Sequence, residues 1–310
     1  MLKYIAQRLA AAIPTVLGVC VIVFSLMYFS PYDPVAAMAN RFHLNAEQIS
    51  NLRQELGVDR PYLVQLGNWF VNLAHGNLGK SFVQSLPVLY MIEARLWTTA
   101  ELALAGMGLA TVLGVGLGVL AALKENSLAD SASMVVALIG SAMPDFWLAL
   151  MFILLFAVTL RWLPIVGQGD LKHLIMPATV VALTEAGVIA RTMRSSLIEV
   201  RGEDYVRTAR AKGLRERWVI WRHALANALI PTVTIIGINM SAVLGGVVIV
   251  ETVFSREGIG RLVVDSVLFT DTPVVQGSVL LASLVFIFVN LGVDILYAFL
   301  DPRIRYGGNR

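Results

Sequence analysis

The chain has 310 residues, 57% hydrophobic and only 15% charged, with a formal net charge of +3 and a mean hydropathy of +0.73. A soluble domain is roughly 45–50% apolar and about 25% charged. The composition therefore excludes a disordered chain and a disulfide scaffold, and leaves too few charges to cover a soluble α/β enzyme.

An integral membrane protein is the class that remains. The lone Cys20 rules out an intrachain disulfide and a Cys-based zinc site, and in its apolar run it reads as an inert thiol. His43, His75, His173 and His223 lie outside the apolar runs and none is paired at i, i+4, so no HExxH zinc helix exists and no metal is expected.

A membrane span needs about 20 mostly apolar residues. Six runs qualify, at residues 9–29, 99–123, 134–160, 174–190, 230–250 and 277–300. Lipid offers the backbone no hydrogen-bond partners, so runs of this length must be helices. The first run follows Lys3 and Arg8 and precedes Ala37-Met38-Ala39, which mimics a signal peptide. It is longer than the roughly 7–15 residues of a signal core, so an uncleaved first span is expected.

The segment 30–98 can hold a small helical subdomain. Asn45-Ala46-Glu47-Gln48 reads as a helix start, with Ile49, Leu52 and Leu56 at helical spacing and Gly57 as a stop. Pro61 opens a second helix carrying Leu63, Leu66, Trp69, Phe70 and Leu73. The pair could cap the outer mouth or simply strap the helices together. Ala74 to Ser81 fits a relaxed phosphate-loop pattern, but an amphipathic helix precedes it where that loop needs a buried strand. Gly114, Gly116 and Gly118 sit in an apolar run, and the first and last form a GxxxG pair that lets helices approach closely. No GxSxG nucleophile elbow occurs, and no catalytic residue is expected.

Three acids lie within spans: Asp145, Glu185 and Asp294. An acid at a span centre costs about 2.5–3.5 kcal/mol on insertion scales, so each should face protein or a water-filled path. They are candidates for a translocation path, as substrate or cation contacts. The structural alternative is a helix-end cap or interhelical pair, which Pro144 ahead of Asp145 makes plausible. The fourth run is short and is interrupted by Pro177 and Glu185.

The loop 191–229 carries nine Lys/Arg and the acids Glu199, Glu203, Asp204 and Glu216. Residues 203–212 form a short helix with acids in the first turn and bases near the end, matching the macrodipole. Gly213 stops it in the left-handed conformation. Leu214, Trp218, Trp221 and Leu225 then make an apolar stripe leading to the next span. A helix, a glycine turn and an interfacial helix would suit a lever whose exposed part lies in a partner's groove. A solvated loop on lipid headgroups is the plainer alternative. Ala209 has Tyr205 at i−4 and Gly213 at i+4, so a small residue is expected at the centre of the docking face.

Six spans place both termini on one side. Lys and Arg number 15 in the N-terminal tail, the 124–132 and 191–229 loops and the C-terminal tail, against 4 in the 161–173 and 252–276 loops. The positive-inside rule puts both termini and the 191–229 loop in the cytoplasm and segment 30–98 outside.

At residues 204–214, Asp-Tyr-Val-Arg-Thr-Ala-Arg-Ala-Lys-Gly-Leu, continued by Arg222 to Pro231, the chain resembles the "EAA" loop of ABC importer permeases. The likeness is to the dipeptide, oligopeptide and nickel branch and spans the chain: Tyr4, Arg8, Ile13-Pro14, Asp33-Pro34, Leu56 to Pro61, Leu78 to Ser81, Met143 to Leu148, Glu251 to Phe254, Gly258 to Leu262 and Asp301 to Arg305. Arg207 stands where the triplet has its glutamate, Thr208 where it has its first alanine, and Ala226 where related loops have a proline.

The resemblance implies an all-α membrane protein with the six-helix type I importer fold. It divides into residues 1–94 (first span plus outer subdomain), a core of 95–300 and a cytoplasmic tail of 301–310. It implies one half of a translocation pathway, lined by spans two to six, in a bacterial cytoplasmic membrane. The partners implied are a second homologous permease chain in a heterodimer, two cytoplasmic ATPases and an extracytoplasmic solute-binding protein, with membrane lipid around them and no nucleic acid. Glu203, Asp204, Tyr205, Thr208, Ala209, Lys212 and Gly213 would couple to the ATPases. No cofactor is expected in this chain, ATP being bound by the partner subunits. Short peptides are the expected cargo, with nickel or a metal chelate as the alternative. A secondary transporter, from which internal repeats are expected, or a channel would lack the ATPase partner.

Overall fold

The computed structural model describes residues 2–31 and 33–300, without the side chains of residues 2–8, 40, 41, 245, 246 and 294–300. The described residues are helical apart from turns and one isolated bridge between Lys80 and Pro87. The first span is α1 (Leu2–Tyr28), followed by three short helices, α2 (Pro34–Phe42), α3 (Ala46–Leu56) and α4 (Tyr62–Ala74). Asn45 accepts from the Gln48 N–H while Gln48 returns a bond to the Asn45 N–H, a full capping box, and Gly57 closes α3 at φ +65°. Asp33 caps α2 through the Val35 N–H and takes Arg53 of α3 on its other oxygen. The α1 tip is joined to α4 by the rings of Phe24, Tyr28, Tyr62 and Trp69, with centroids 5.1 to 6.3 Å apart.

The core follows in α5 (Val88–Leu123), α6 (Leu128–Ala142), α7 (Asp145–Phe152, extended by a π-helical turn Ile153–Thr159) and α8 (Leu171–Arg201). The short α9 (Asp204–Ala211) and α10 (Glu216–Trp218) come next, then a π-helical turn Val219–Ala224 and α11 (Leu225–Gly246). The last described helices are α12 (Val248–Val253), α13 (Ile259–Leu268) and α14 (Thr272–Leu300). Five helices are long and apolar enough to cross a membrane, and α6 with α7 forms a sixth crossing segment bent by 102°.

The bundle is built on glycine contacts. A Cβ on Gly106, Gly114 or Gly118 of α5 would stand 2.6 Å from Val181, Ile189 or Ala190 of α8, so these helices run parallel with their backbones in near contact. Gly140 and Gly187 do the same for α6 against α8, in the antiparallel sense. The GxxxG pair Gly114 and Gly118 is therefore a packing seam, as expected.

Three expectations are corrected. The second span begins at Val88, not residue 99. The fourth run is not short: α8 is one 31-residue helix, and the 56% burial of its apolar window is the highest among the spans. Pro177, its seventh residue, costs α8 one intrahelical hydrogen bond without ending it. The run at 134–160 is not one rod, because Pro144 cannot continue α6 and the chain turns sharply there. The two halves still cross together. Asp130 of α6 meets Arg194 near the C-terminal end of α8, while the loop after α7 meets Phe254 and Glu257, near the opposite end of the bundle, through Gly167 and Gln168.

A buried carboxylate organises the end of the bundle at which α5 and α8 begin. Glu251 is fully buried and accepts from the Thr99 hydroxyl at 2.6 Å and the Arg261 N–H at 3.2 Å. Thr99 in turn accepts from the Ile259 N–H at 2.8 Å. The first turn of α13 thus receives a cap from α12 and α5, which its own N-cap residue, Gly258, cannot supply. A Cβ on Gly258 would lie 2.1 Å from Glu251 Oε1. We expect Gly258→Ala to destabilise the protein by about 1–3 kcal/mol, as overpacking does. Gly116→Ala, where a Cβ meets open space, should leave the melting temperature of the purified protein unchanged or raise it. Thermal melts of the two variants check this.

Candidate functional site: the coupling segment and the bundle centre

An eight-residue helix such as α9 is marginal in isolation, since helices under about 12–15 residues need tertiary support. It receives that support on one face. Val206 and Ala209 are buried against Val219, with Val200 of α8 packed on the cluster. Arg210 forks onto Glu216 at 3.0 and 2.9 Å and donates a further bond to the Arg201 carbonyl at 3.3 Å. The hydrogen bond to Glu216 holds the Arg210 guanidinium above its already high ordinary value, so this brace stays charged. Asn227 of α11 donates to the Tyr205 hydroxyl at 2.8 Å. Gly213 sits at φ +76°, the left-handed turn expected of it.

Behind α9 the adjacent ends of the core helices are tied together. Arg201 donates to the Ala122 carbonyl of α5 at 2.6 Å. Arg194 forks onto the buried Asp130 with two bonds of 2.7 Å. Displacement of α9 would therefore be felt by α5, α6, α8 and α11 together.

The exposed face of α9 and its flanks carries Glu203, Asp204, Tyr205, Arg207, Thr208, Lys212 and Gly213. Ala209 is not on it. With 6% exposure it faces the chain's own core, so the expected docking face centred on Ala209 is rotated toward Thr208. The apolar stripe also divides: Leu214, Trp218 and Trp221 point outward while Leu225 is buried. The π-helical turn at Val219–Ala224 adds a residue to the turn and moves Leu225 off the face of the tryptophans.

The second polar locus lies at mid-height of the bundle. The break at Pro144 makes Asp145 the first residue of α7, level with the middle of α8 where Gly140 meets Leu183. An acid in the first turn of a helix is favoured by the dipole. Glu185 of α8 accepts from Asn239 of α11 at 2.7 Å and lies within electrostatic reach of Asp145. Both carboxyl groups are half-buried. The structure thus brings together two of the three acids named from the sequence and adds Asn239. The Asp294 side chain lies outside the described residues. The phosphate-loop look-alike is structural, since the Ser81 hydroxyl and the Phe82 N–H both donate to the buried Asp271 ahead of α14.

A lever at one end and a polar centre between helices is a transporter's layout. The sequence family of the binding-protein-dependent transport system inner membrane component matches residues 114–306, and the N-terminal family of the same systems matches residues 1–103. The chain belongs to this family. The permease is 42% identical over 314 residues to a protein designated a peptide transport system permease in Brucella abortus (strain 2308), covering 99% of this chain and 100% of that one. It is also 42% identical over 306 residues to the glutathione transport system permease protein GsiC of Escherichia coli O6:H1, with the same coverage. Among solved structures, the inward-facing MetNI methionine ABC transporter superposes with a TM-score of 0.55 at 17% identity, over 69% of this chain and 97% of that one. The fold is that of a type I ABC importer permease, and the permease is a multi-pass protein of the inner membrane.

Sequence reasoning missed Arg210, Glu216 and Asn227 as the braces of the coupling segment. The acid at i+6 from an arginine across a glycine turn was the available signal. The permease should not tolerate Ala209→Arg: a guanidinium among Val200, Val206 and Val219 would lose its hydration without a partner. We expect a reduced amount of protein in the membrane and a lower melting temperature, read by immunoblot and thermal melt.

Proposed function

We propose that this permease is one of two homologous subunits, in a heterodimer, of an ATP-driven importer of short peptides. Relatives at 42% identity carry peptide and glutathione transport in their names, and glutathione is itself a tripeptide. Two ATPases bind the ATP and dock on the exposed face of α9 and on its counterpart in the second chain. A solute-binding protein delivers the cargo to the outer face. Both termini and α9 lie in the cytoplasm and residues 30–98 outside, as the charge bias directs.

One observation carries the reading: α9 is free on one face and fastened to α8, α10 and α11 through the other. A helix built that way transmits a push. Closure of the ATPases would displace α9, and the rigid inner ends would carry the displacement into the bundle. The energy enters as a difference in ATPase affinity between two permease conformations, which any switch requires. The carboxyl groups of Asp145 and Glu185 sit beside the path and attract the cargo's ammonium group in transit.

Two outcomes test this. Thr208→Arg places bulk and charge at the centre of the free face, where its only side-chain bond is the local one to the Asp204 carbonyl. It should reach the membrane in normal amount yet lose ATP-driven uptake and copurify with less ATPase. Each 1.4 kcal/mol of lost docking energy lowers affinity about tenfold. Normal uptake with ATPase retained would remove α9 from the docking site. The double variant Asp145→Asn, Glu185→Gln should assemble normally but import free-amine peptides at least about tenfold more slowly, the scale of one lost charge-assisted bond. Unchanged uptake in membrane vesicles would make the acid pair purely structural.

A further inference from the structure

A cavity of about 1090 Å³ opens on the outer side, between the α1 tip, α3, α4, the Leu78–Ser81 strand of the loop and the start of α14. Its depth is set by its floor. Phe24, Met27 and Tyr28 belong to the last turns of the first span and Gln276 to the second turn of the last. Both are the outer ends of membrane-crossing helices. The Tyr28, Tyr62 and Trp69 rings mark the level at which aromatic belts sit in bilayers.

The polar groups around the cavity have work left undone. Gln276 is only 7% exposed, it lines the cavity, and its amide makes no hydrogen bond among the described residues. Asn68 and Asn72, one turn apart on α4, also have no side-chain partner among those residues. Of the three bases lining the space, Arg53 is taken by Asp33 and Asp59. Arg60 and Lys80 form no ion pair among the described residues, and neither does Glu55, the remaining acid.

Two free cations, one free carboxylate and three amides describe a ligand with an anion, an amine and several acceptors. A zwitterionic peptide and a phospholipid with an amine headgroup both match that set. Position decides between them. The cavity adjoins α1, little of whose apolar surface is buried, and Leu17 and Val21, at i−7 and i−3 from Phe24 on the same helix face, are exposed below it. It lies away from α7, α8 and α11, which hold the acid pair of the path.

We propose that this cavity binds the headgroup of an outer-leaflet aminophospholipid. Arg60 and Lys80 meet the phosphodiester, Glu55 meets the amine, and Asn68, Asn72 and Gln276 serve the phosphate and ester oxygens. The acyl chains run down the bare face of α1. The lipid fastens the outer subdomain to the membrane at the point where the subdomain meets the first and last spans.

The test is native mass spectrometry of the full-length chain in mild detergent, offered phosphatidylethanolamine and phosphatidylglycerol together. The wild type should retain the ethanolamine lipid about tenfold over the glycerol lipid, the scale of one charge-assisted contact. Arg60→Gln with Lys80→Gln should lower retention of both by about tenfold or more, and Gln276→Leu should lower both to a lesser degree. Glu55→Gln, at an exposed position where folding is not at stake, should abolish the preference while leaving phosphatidylglycerol retention unchanged. Equal retention of the two lipids by the wild type, or unchanged retention in the Arg60/Lys80 variant, would overturn the assignment. Displacement of the lipid by millimolar inorganic phosphate or by a free-amine tripeptide would overturn it equally, by assigning the cavity to a soluble ligand.

Discussion

The close approach of α5 and α8 is the contact on which the rest of the permease depends. In a bilayer, apolar side chains gain little by leaving lipid for one another, so helix association relies on van der Waals packing between surfaces that fit. Gly106, Gly114 and Gly118 provide such a surface along three turns and more, each admitting α8 where a single methyl group would collide. With α6 seated on α8 through Gly140 and Gly187, three spans move as one body. At the centre of that body is α8, which touches both of the others. It holds Glu185 at mid-height and ends at Arg201, next to α9.

The interruption at Pro144 has the opposite character. A straight third span would carry its polar residue into lipid or into a packed seam. The bend starts a fresh helix at mid-height, and its first turn is a place where an acid is tolerated. Asp145 can then lie near Glu185 without either being sealed from water, as their half-buried state shows. The same 31 residues of α8 that answer to the coupling segment thus also carry one of the acids of the polar centre.

Much of this was legible in the sequence, for identifiable reasons. Local chemistry made the caps readable: Asn45 with Gln48, Gly57 and Gly213 act within a turn of where they stand, and each was found in the expected conformation. Long apolar runs gave the spans. Facing was harder, because it depends on contacts far apart in the chain. Ala209 has the same neighbours at i−4 and i+4 on either face, and only the packing of Val200 and Val219 turns it inward. The Trp218 and Trp221 stripe failed at Leu225 because a π-helical turn breaks the period on which stripes are read. Glu251 joins Thr99 across 152 residues, a pairing that no local pattern announces.

These tertiary pairings explain how a push at one face can be felt at the other. Near its C-terminal end α5 is held by Arg201 through the Ala122 carbonyl, and toward its N-terminal end by Glu251 and the Ile259 N–H through Thr99. Those anchor points are about 35 Å apart at 1.5 Å per residue. Between them lies the glycine seam, which prevents α8 from sliding along α5 without a clash at each glycine. A displacement of α8 that carries α5 with it would therefore reach the first turn of α13 through Thr99. That turn has no cap of its own, since Gly258 has no side chain, and it relies on a carboxylate from α12 and a hydroxyl from α5. A helix start secured by its neighbours moves with them, so α12, α13 and the α5–α8 pair are joined as one mechanical unit at the end of the bundle opposite α9.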